Sequence, residues 1–570
     1  MSQPPVGSQF RANVRHLGLI FAAYTVVAAA ATLPLVRHLG SHLAGDHTDA
    51  WQTVWGFWWW RHGATFGSSL MYSKVVWWPH GAPVWFQTWD IPSALVAALF
   101  WGVAPPPLLY NLLLLLTFPL SGVAFYLLAR ELWGGTLAPA LAGCLYTFST
   151  FHFANANAVL HISSMQWSPL YFLGLIRMCR SPSYWNALLA GTALAIATLA
   201  SPYHLTMCAV GTCTLAAARL FSGNPIDVPS GFIRRVALSS VVFACLAGWL
   251  LVGMSRSYLA ETYVGAHPAD KFSADLLSFL LPNRVSIWSG YFTGWTKWTA
   301  SYWTGTTALW ADAAYIGYFA LGLALLGLWW EKATRPFLAI AAVGAVLALG
   351  PRLQVGGVTY GGLMPNGLMS RVLPVLSFSG IPSRFSWLVT FGVAIAAGAC
   401  LARLCRQGRR GCVLAIGVTA LALLEVWPRP MVLSSYPKPP IFKDWAADRS
   451  EWAVLDATWW SRALWHQTLH GHPIIGGYLT RAPAGQWSEL AKDPVLSGFF
   501  AHMLQTRPDV KPVSHAETLD RLVRLRVRFV IVDSQRSALP TGLGLIERYQ
   551  GDGLAVFEVP DRALAENRAP

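Results

Sequence analysis

Two long apolar runs, Leu17–Val36 and Leu108–Leu128, limit what this chain can fold into. Each has about the 20 residues that a helix needs to cross the roughly 30 Å hydrocarbon core of a bilayer. A backbone surrounded by lipid must satisfy its own hydrogen bonds, so such runs form helices. The chain is also 54% hydrophobic and only 12% charged, which excludes a soluble multidomain enzyme and a disordered chain. The sequence therefore predicts an α-helical polytopic membrane protein.

Hydropathy predicts about eleven transmembrane helices. Ala28–Ala31 resembles a signal-peptide cleavage site, but the apolar run continues past it, so we expect an uncleaved first span. Ile91–Val103 is too short to span and precedes the prolines Pro105–Pro107, which predicts a membrane-surface or re-entrant helix. The predicted spans cover 17–36, 108–128, 136–153, 164–178, 184–200, 203–220, 236–253, 312–329, 336–350, 385–402 and 412–427.

The net charge of +15 arises from 41 Lys and Arg against 26 Asp and Glu. The basic residues between the spans recur on one side, which the positive-inside rule assigns to the cytoplasm. The basic excess thus orients the chain in the membrane and argues against nucleic-acid binding. We expect a cytoplasmic N-terminus and, with an odd number of spans, an external C-terminus. The residues that set this orientation are Arg11, Arg15, Arg130, Arg177, Arg180, Arg219, Arg234, Arg235, Lys332, Arg335, Arg403, Arg406, Arg409 and Arg410.

A change in composition at Pro428 divides the chain, because polar residues become frequent and no later apolar run is long enough to span. We predict a transmembrane domain over 1–428, whose external loop 37–106 carries interfacial helices. A soluble extracytoplasmic α/β domain is expected over 429–570.

Short patterns describe this second domain further. Arg528–Asp533 and Leu554–Pro560 read as strands, and Glu517–Leu525 as an amphipathic helix. Trp465–Arg481 contains three histidines but no adjacent carboxylate or cysteine, which favours a strand and a Gly-rich turn over a metal site. None of the eight cysteines lies in a predicted external segment, so no disulfide framework is indicated.

Two carboxylates, Asp46 and Asp49, follow the first span on the external side. A carboxylate at the membrane boundary can act as a general base, because partial desolvation raises its pKa toward the working pH. Acidic residues also cap helices and suit their first turn. The residues alone favour the cap, and the two interpretations are compatible.

A tryptophan face follows, formed by Trp51, Trp55, Trp58 and Trp59 at helical spacing. Tryptophan favours the membrane interface, which predicts an amphipathic helix lying on the bilayer. The alternative is that the aromatic face, Trp55 included, stacks on sugar rings or flanks a lipid tail.

Polar side chains beside apolar spans form a second group of candidates. His161 and Gln166 lie in a short external loop, where a polar group next to lipid needs a cavity or a partner. They either bind phosphate or substrate, or form ordinary hydrogen bonds between helices.

Cations on the external side form a third group, against the general charge bias. Arg256, His267 and Lys271 lie in the large loop near 254–311, and Arg384 precedes the tenth span. They could bind the phosphate of a lipid headgroup, and solvated loop charges are the alternative.

Several motifs together resemble the bacterial GT-C-type integral membrane glycosyltransferases, especially their YfhO-like and dolichyl-phosphate-mannose mannosyltransferase-like branch. The resemblance covers nearly the whole chain. It is carried by Gly45–Asp46 with Trp51, Gln52 and Trp55, by Pro107–Leu132, by HISSMQWSPL at His161–Leu170, and by the tail strings HGHPIIGGYLTR and RLRVRFVIVD.

This resemblance implies an inverting transfer of a hexose or pentose at the outer face of the bacterial cytoplasmic membrane. The donor would be a polyprenyl-phosphate-linked sugar and the acceptor a lipid, glycan or protein. It implies Asp46 as general base, with Asp49 as second candidate, and phosphate-binding roles for Arg256, Lys271 and Arg384. It implies no cofactor and leaves a divalent metal ion open.

Two other classes stay open. One is a non-catalytic transporter, flippase or assembly factor for lipid-linked glycans, although the external acidic residues and the lack of a visible repeat favour the enzyme. The other is a degenerate glycosyltransferase-like scaffold whose tail binds glycan or a partner.

Overall fold

The computed structural model describes residues 6–45, 47–67, 69–157, 159–221, 229–265, 267–292, 313–372, 380–448, 450–501, 513–534 and 543–560. Helices dominate the chain before the last 140 or so residues, consistent with a membrane bundle. These helices are α1 (Val6–Ala31), α2 (Leu33–Arg37), α3 (His47–His62), α4 (Ile91–Phe100), α5 (Pro106–Trp133), α6 (Leu137–Thr147), α7 (Thr150–Ala156), α8 (Leu160–Ser163), α9 (Trp167–Arg180), α10 (Tyr184–Ala200), α11 (Pro202–Leu220), α12 (Phe232–Ala260), α13 (Tyr318–Trp330), α14 (Arg335–Ala348), α15 (Pro365–Val372), α16 (Ser386–Cys405) and α17 (Arg409–Glu425).

Each predicted span contains a helix. Among the described residues, 4 helices are long and apolar enough to cross a membrane by themselves: α1, α5, α12 and α16 with the short turn before it. Others are shorter; α6 has 11 residues and rises about 16 Å. The structure therefore supports a bundle with several apolar helices, and eleven crossings stay a prediction. The helix α4 has only 10 residues, about half of what a span needs.

The helix α16 lies at the centre of the bundle, with 83% of its apolar window buried. It packs against α6, α13 and α14. A Cβ at Gly327 would overlap the carbonyl oxygen of Ala396, so α13 can approach α16 closely only with glycine there. The indole Nε1 of Trp387 donates to the hydroxyl of Tyr146 over 2.9 Å. The outer end of α16 is thereby held in place, and Arg384 directly precedes it.

A mixed sheet lies near the C-terminus, in the part that we call the C-terminal segment (429–560). Its strand order is β12-β13-β11-β8-β9, with β8, β9 and β11 parallel and β12 and β13 antiparallel. The strands of the chain are β1 (Leu43–Ala44), β2 (Tyr72–Ser73), β3 (Ala82–Pro83), β4 (Tyr263–Val264), β5 (Gln354–Val355), β6 (Val358–Thr359), β7 (Leu433–Ser434), β8 (Ala453–Asp456), β9 (Ile474–Ile475), β10 (Ala482–Pro483), β11 (Val527–Asp533), β12 (Ile546–Gly551) and β13 (Leu554–Glu558). The helices of this segment are α18 (Ile441–Ala447), α19 (Trp460–His470), α20 (Ala484–Lys492), α21 (Pro494–Phe499) and α22 (His515–Arg524).

The predicted elements of this segment are confirmed at β11, β13 and α22, and Ser514 with Glu517 forms a capping box at the start of α22. The prediction for Trp465–Arg481 is only partly right, because its N-terminal part completes α19 and the strand begins at Ile474. A carboxylate also reaches its first histidine: Oδ2 of Asp456 lies 2.7 Å from Nδ1 of His466. The partner comes from a neighbouring strand and is not adjacent in sequence.

The tryptophan face of the helix α3 is covered by protein and not exposed, and the position of α3 relative to the membrane stays a prediction. Trp55 and Trp59 are fully buried, and α3 packs against α4 on one side and α19 on the other. The indole Nε1 of Trp55 donates to Oε1 of Gln467 over 2.8 Å. Tryptophan here packs the core and uses its N–H for a bond inside the protein, as buried indoles require.

Backbone pairing joins the C-terminal segment to the external loops. Along β9, Ile474 N donates to Val75 O over 2.8 Å, and Trp78 N donates to Ile474 O over 3.1 Å. The short strands β10 and β4 pair with each other, as do β1 and β7. The segment therefore covers the same end of the bundle that carries α3 and the loop of β4.

Candidate functional site

Of the two carboxylates predicted as bases, the structure describes Asp49. Asp46 lies outside the described residues. Asp49 is half-buried in the first turn of α3, where a negative charge interacts favourably with the helix dipole. Its carbonyl oxygen accepts a hydrogen bond from Oγ1 of Thr53 over 2.9 Å. Both the capping and the catalytic interpretation of these acids stay predictions.

A polar network begins one helical turn after Asp49. Nε2 of Gln52 donates to Oγ1 of Thr480 over 3.1 Å and also to Oγ1 of Thr88. Thr480 N donates to Oε1 of Gln87 over 3.0 Å. The network connects α3, the external loop and the C-terminal segment, so three distant parts of the chain meet beside the candidate base.

The segment around α8 brings His161 to the same end of the bundle. His161 is 5% exposed, and its carbonyl oxygen lies 3.2 Å from Nε2 of His204, which must donate because a carbonyl only accepts. Burial, then the charges of Arg384 and His204, lower the pKa of the His161 side chain well below its ordinary range. The imidazole is therefore neutral at neutral pH and can donate or accept hydrogen bonds.

Two buried arginines form the centre of the site. Arg384 is 6% exposed and Arg481 is 5% exposed, although arginine is almost always solvated in proteins. The guanidinium carbon of Arg384 lies 4.2 Å from the ring centroid of Tyr203, within cation–π range. Nη1 of Arg481 donates to the carbonyl oxygens of Gly265 and Thr480 over 2.9 and 2.7 Å. Burial chiefly, and also the charge of Arg384, lower the pKa of Arg481.

His267 belongs to the large external loop and lies near these two cations. Burial, followed by the charges of Arg481 and Arg384, lowers the pKa of His267 to about 3. The sequence alone suggested a cation here, whereas burial and the two neighbouring guanidinium groups favour the neutral imidazole. The site thus combines two permanent cations with neutral imidazoles from α8 and the large loop.

Asp90 is a buried acid that the sequence analysis missed. It is 3% exposed and caps α4, accepting from Ser93 N over 3.1 Å. Oγ of Ser164, three residues after His161, donates to its other carboxylate oxygen over 2.5 Å. Burial raises the pKa of Asp90 to about 6. The signal for a cap was visible in the sequence, because Asp90 precedes Ile91 and Pro92, a common helix start.

Other predicted site residues do not join this cluster. Gln166 lies at the start of α9, with Oε1 3.5 Å from Oγ of Ser121 inside the bundle. Arg256 and Lys271 are exposed. Trp55 offers no open face to a sugar, since it is fully buried and stacks on Trp59 and Trp89 with ring centroids 5.7 and 5.9 Å away.

The residues missed by sequence analysis carried signals of different strength. His204 is a polar residue inside a predicted span, which by itself suggests a functional position. Arg481 lies in a polar tail where arginines are common, and no local pattern distinguishes it. Within the described ranges, no group of three His, Cys, Asp or Glu residues could hold a metal ion.

Two solved structures with a similar fold are an arabinofuranosyltransferase and an oligosaccharyltransferase. The mycobacterial arabinofuranosyltransferase AftD is similar with a TM-score of 0.61 at 16% identity, over 96% of this chain and 40% of that chain. An oligosaccharyltransferase from Archaeoglobus fulgidus, in complex with zinc and sulfate, has a TM-score of 0.52 at 11% identity, over 90% of this chain and 68% of that chain. This chain spans about two fifths of the length of AftD. The likeness shows a GT-C-like fold, and with the apolar helices it indicates a multi-pass membrane protein.

Comparison with curated protein sequences gives no match. A family described as "Domain of unknown function (DUF6311)" matches residues 17–426, which is more than half of the 570 residues. The match includes α3, α8, Tyr203 and Arg384 but ends before Thr480 and Arg481. The chain belongs to the DUF6311 family.

Proposed function

We propose that this protein is a membrane glycosyltransferase that uses a polyprenyl-phosphate-linked sugar as donor. The acceptor is a lipid-linked, glycan or protein hydroxyl at the outer face of the bacterial cytoplasmic membrane. AftD is an arabinofuranosyltransferase and the Archaeoglobus protein is an oligosaccharyltransferase, which supports glycosyl transfer as the reaction class. The donor sugar does not follow from them, because their likeness to this chain is one of fold.

The observation that carries the proposal is the buried pair Arg384 and Arg481 at the outer end of the bundle. The charge of Arg384 contributes to the lowered pKa of Arg481, which means that the two guanidinium groups repel each other. Burial leaves little water to weaken this repulsion. A phosphate bound between them would offset that repulsion with charge-assisted hydrogen bonds, for which arginine has the best geometry.

The neighbouring groups suit the other needs of the reaction. The acceptor hydroxyl oxygen attacks the anomeric carbon of the sugar from the side opposite the phosphate, which inverts that centre. The bond between the carbon and the phosphate oxygen breaks, and its electron pair stays on the phosphate. The hydroxyl proton passes to the carboxylate of Asp46, or of Asp49 as second candidate. Arg384 and Arg481 stabilise the added negative charge on the leaving phosphate.

The neutral imidazoles of His161 and His267 support this assignment. A protonated histidine would add positive charge, whereas a neutral one can donate a hydrogen bond to a phosphate or sugar oxygen without binding the product phosphate too tightly. The roles of Arg256 and Lys271 as phosphate ligands, taken from the resemblance, have less support because both are exposed.

The direct test is transfer by membranes that contain the full chain, supplied with radiolabelled polyprenyl-phosphate pentoses and hexoses and with membrane glycolipid acceptors. We expect one donor to be used, and Asp46→Asn to lower the rate at least about a hundredfold, as loss of a general base does. Asp49→Asn is the companion variant.

Asp444→Asn is the matched control, since Asp444 is also an acid in the first turn of an external helix, α18, but is exposed and far along the chain. Full activity of both Asp46→Asn and Asp49→Asn, in correctly inserted protein, would refute the base assignment. Failure of wild-type protein to use any of these donors would refute the proposed function.

A further inference from the structure

Gln52 has an unusual position for a glutamine. It is 1% exposed, whereas glutamine is mostly found at protein surfaces. It lies on α3 three residues after Asp49, and residues at this spacing are neighbours on one helix face. The reaction proposed above leaves this side chain without a role.

The hydrogen bonds around Thr480 determine which way the carboxamide of Gln52 points. Gln87 donates from Nε2 to the carbonyl oxygen of Tyr478, over 3.3 Å, so its Oε1 faces Thr480. That oxygen accepts from the backbone N of Thr480 over 3.0 Å and from its hydroxyl over 3.4 Å. A hydroxyl has one proton, and because Thr480 donates that proton to Gln87, its Oγ1 accepts from Nε2 of Gln52. The group of Gln52 that faces Thr480 is therefore its NH₂.

Both N–H groups of Gln52 are then used, one by Thr480 and one by Thr88. Its Oε1 is buried and has no hydrogen-bond partner among the residues that the structure describes. A buried acceptor without a donor destabilises the folded protein, and the large majority of buried polar atoms in native proteins have a hydrogen-bond partner. This acceptor belongs to a residue on the same helix face as Asp49.

We infer that Oε1 of Gln52 accepts a hydrogen bond from a carbohydrate hydroxyl and so contributes to substrate specificity. That the ligand is a carbohydrate rests on the proposed function. The hydroxyl would belong to the sugar or acceptor bound next to Asp49, and Thr480 with Thr88 would hold the carboxamide in the orientation that presents its oxygen. A site built this way discriminates against an analogue that lacks the hydroxyl, because the oxygen then stays unpaired.

The test measures binding and needs no turnover. The full chain in lipid nanodiscs is titrated with methyl glycosides of glucose, mannose, galactose and arabinofuranose, and with their monodeoxy analogues, by ligand-observed NMR. For at least one glycoside we expect one deoxy analogue to bind wild-type protein about tenfold more weakly or worse. Gln52→Leu should weaken the parent glycoside by a similar factor. The deoxy analogue should bind Gln52→Leu with the same affinity as it binds wild-type protein.

Removing the hydroxyl and replacing Gln52 by leucine should each weaken binding, but not independently. If the two losses of affinity multiply when the deoxy analogue binds Gln52→Leu, the inference is overturned, because independent effects combine in that way. The inference would also be overturned if Gln52→Leu bound every glycoside as tightly as wild-type protein does. Oε1 would then bond only an internal water. Gln486→Leu is the matched control: Nε2 of Gln486 donates to the carbonyl oxygen of Gly81, and its Oε1 also lacks a described partner, but it lies on α20.

If Gln52→Leu does not fold, Thr480→Val serves instead, because it removes only the hydroxyl that orients the carboxamide. We expect a roughly threefold or larger loss for the same glycoside, with Thr480→Ser close to wild type. Equal binding by Thr480→Val and wild type would overturn the inference. If glycoside binding depends on Gln52 but the protein transfers no sugar, only the proposed function is refuted. If the protein transfers sugar but glycoside binding does not depend on Gln52, only the inference is refuted.

Discussion

Nε2 of Gln52 donates to Oγ1 of Thr480 over 3.1 Å, although 428 residues separate the two along the chain. The bond joins α3, the helix that carries Asp49, to the loop that carries Arg481. Thr480 and Arg481 lie beyond residue 426, where the DUF6311 match ends. The C-terminal segment therefore contributes side chains to the candidate site in addition to covering it.

The first prediction concerns the two buried arginines. Arg384→Gln and Arg481→Gln should each raise the KM for the polyprenyl-phosphate donor about tenfold to a hundredfold, because each removes a charged hydrogen-bond donor from one phosphate. Steady-state kinetics with the donor found above would measure this. Since both side chains are proposed to bind the same phosphate, the increase in KM of the double variant should be smaller than the product of the two single increases. Arg234→Gln, at an exposed arginine of α12, is the control; a fully multiplicative double variant would argue against a shared phosphate.

The second prediction concerns stability and pH at Asp90. Burial raises its pKa from 3.8 to about 6, so between these values the folded protein holds a proton that the unfolded chain has released. Protonated Asp90 therefore contributes to the free energy of unfolding below pH 3.8. This contribution, roughly 3 kcal/mol, is lost as the pH rises through about 6. Asp90→Asn cannot ionise and should lack this decline. Unfolding temperatures in detergent from pH 4 to 7 would test it, and identical slopes for variant and wild type would contradict the burial effect.

The third prediction separates packing from sugar binding at Trp55. Trp55→Phe leaves Oε1 of Gln467 without its donor and should lower the free energy of unfolding by about 1–3 kcal/mol. Trp55→Ala should lower it by about 3–5 kcal/mol, as for other large core side chains. The activity per folded molecule of Trp55→Phe should stay within about twofold of wild type. A stable Trp55→Phe protein with much weaker donor binding would restore the sugar-stacking interpretation.

The fourth prediction concerns the turn before Arg384. Gly380 has φ +67°, and a Cβ there would overlap the carbonyl oxygen of His267. Gly380→Ala should therefore destabilise the fold by more than the roughly 1 kcal/mol expected from positive φ alone, and should displace His267. Gly408→Ala is a matched control, because φ is +86° there but nothing lies within 4 Å of the added carbon. Equal losses in unfolding temperature would show that the contact with His267 is unimportant.

Local patterns in the sequence predicted a large part of this fold. Apolar runs located a helix within each predicted span, because a helix in lipid depends on about 20 consecutive residues. The apolar run in Arg528–Asp533 and the amphipathic pattern of Glu517–Leu525 located β11 and α22 for the same reason: both signals lie within a few residues. Arg384 and His161 were singled out because charged or polar groups beside apolar spans are costly.

The tertiary structure decided what those residues meet. The tryptophan face of α3 reads in sequence as a membrane-surface helix, since composition does not distinguish lipid headgroups from a covering protein segment. Only the fold brings Gln467 to Trp55, Arg481 to Arg384 and Thr480 to Gln52. These pairs join parts of the chain that no periodicity or spacing relates. The sequence by itself determined a membrane bundle with polar groups at its outer end, and folding decided which of those groups share one buried site, because contacts between distant segments depend on packing in three dimensions.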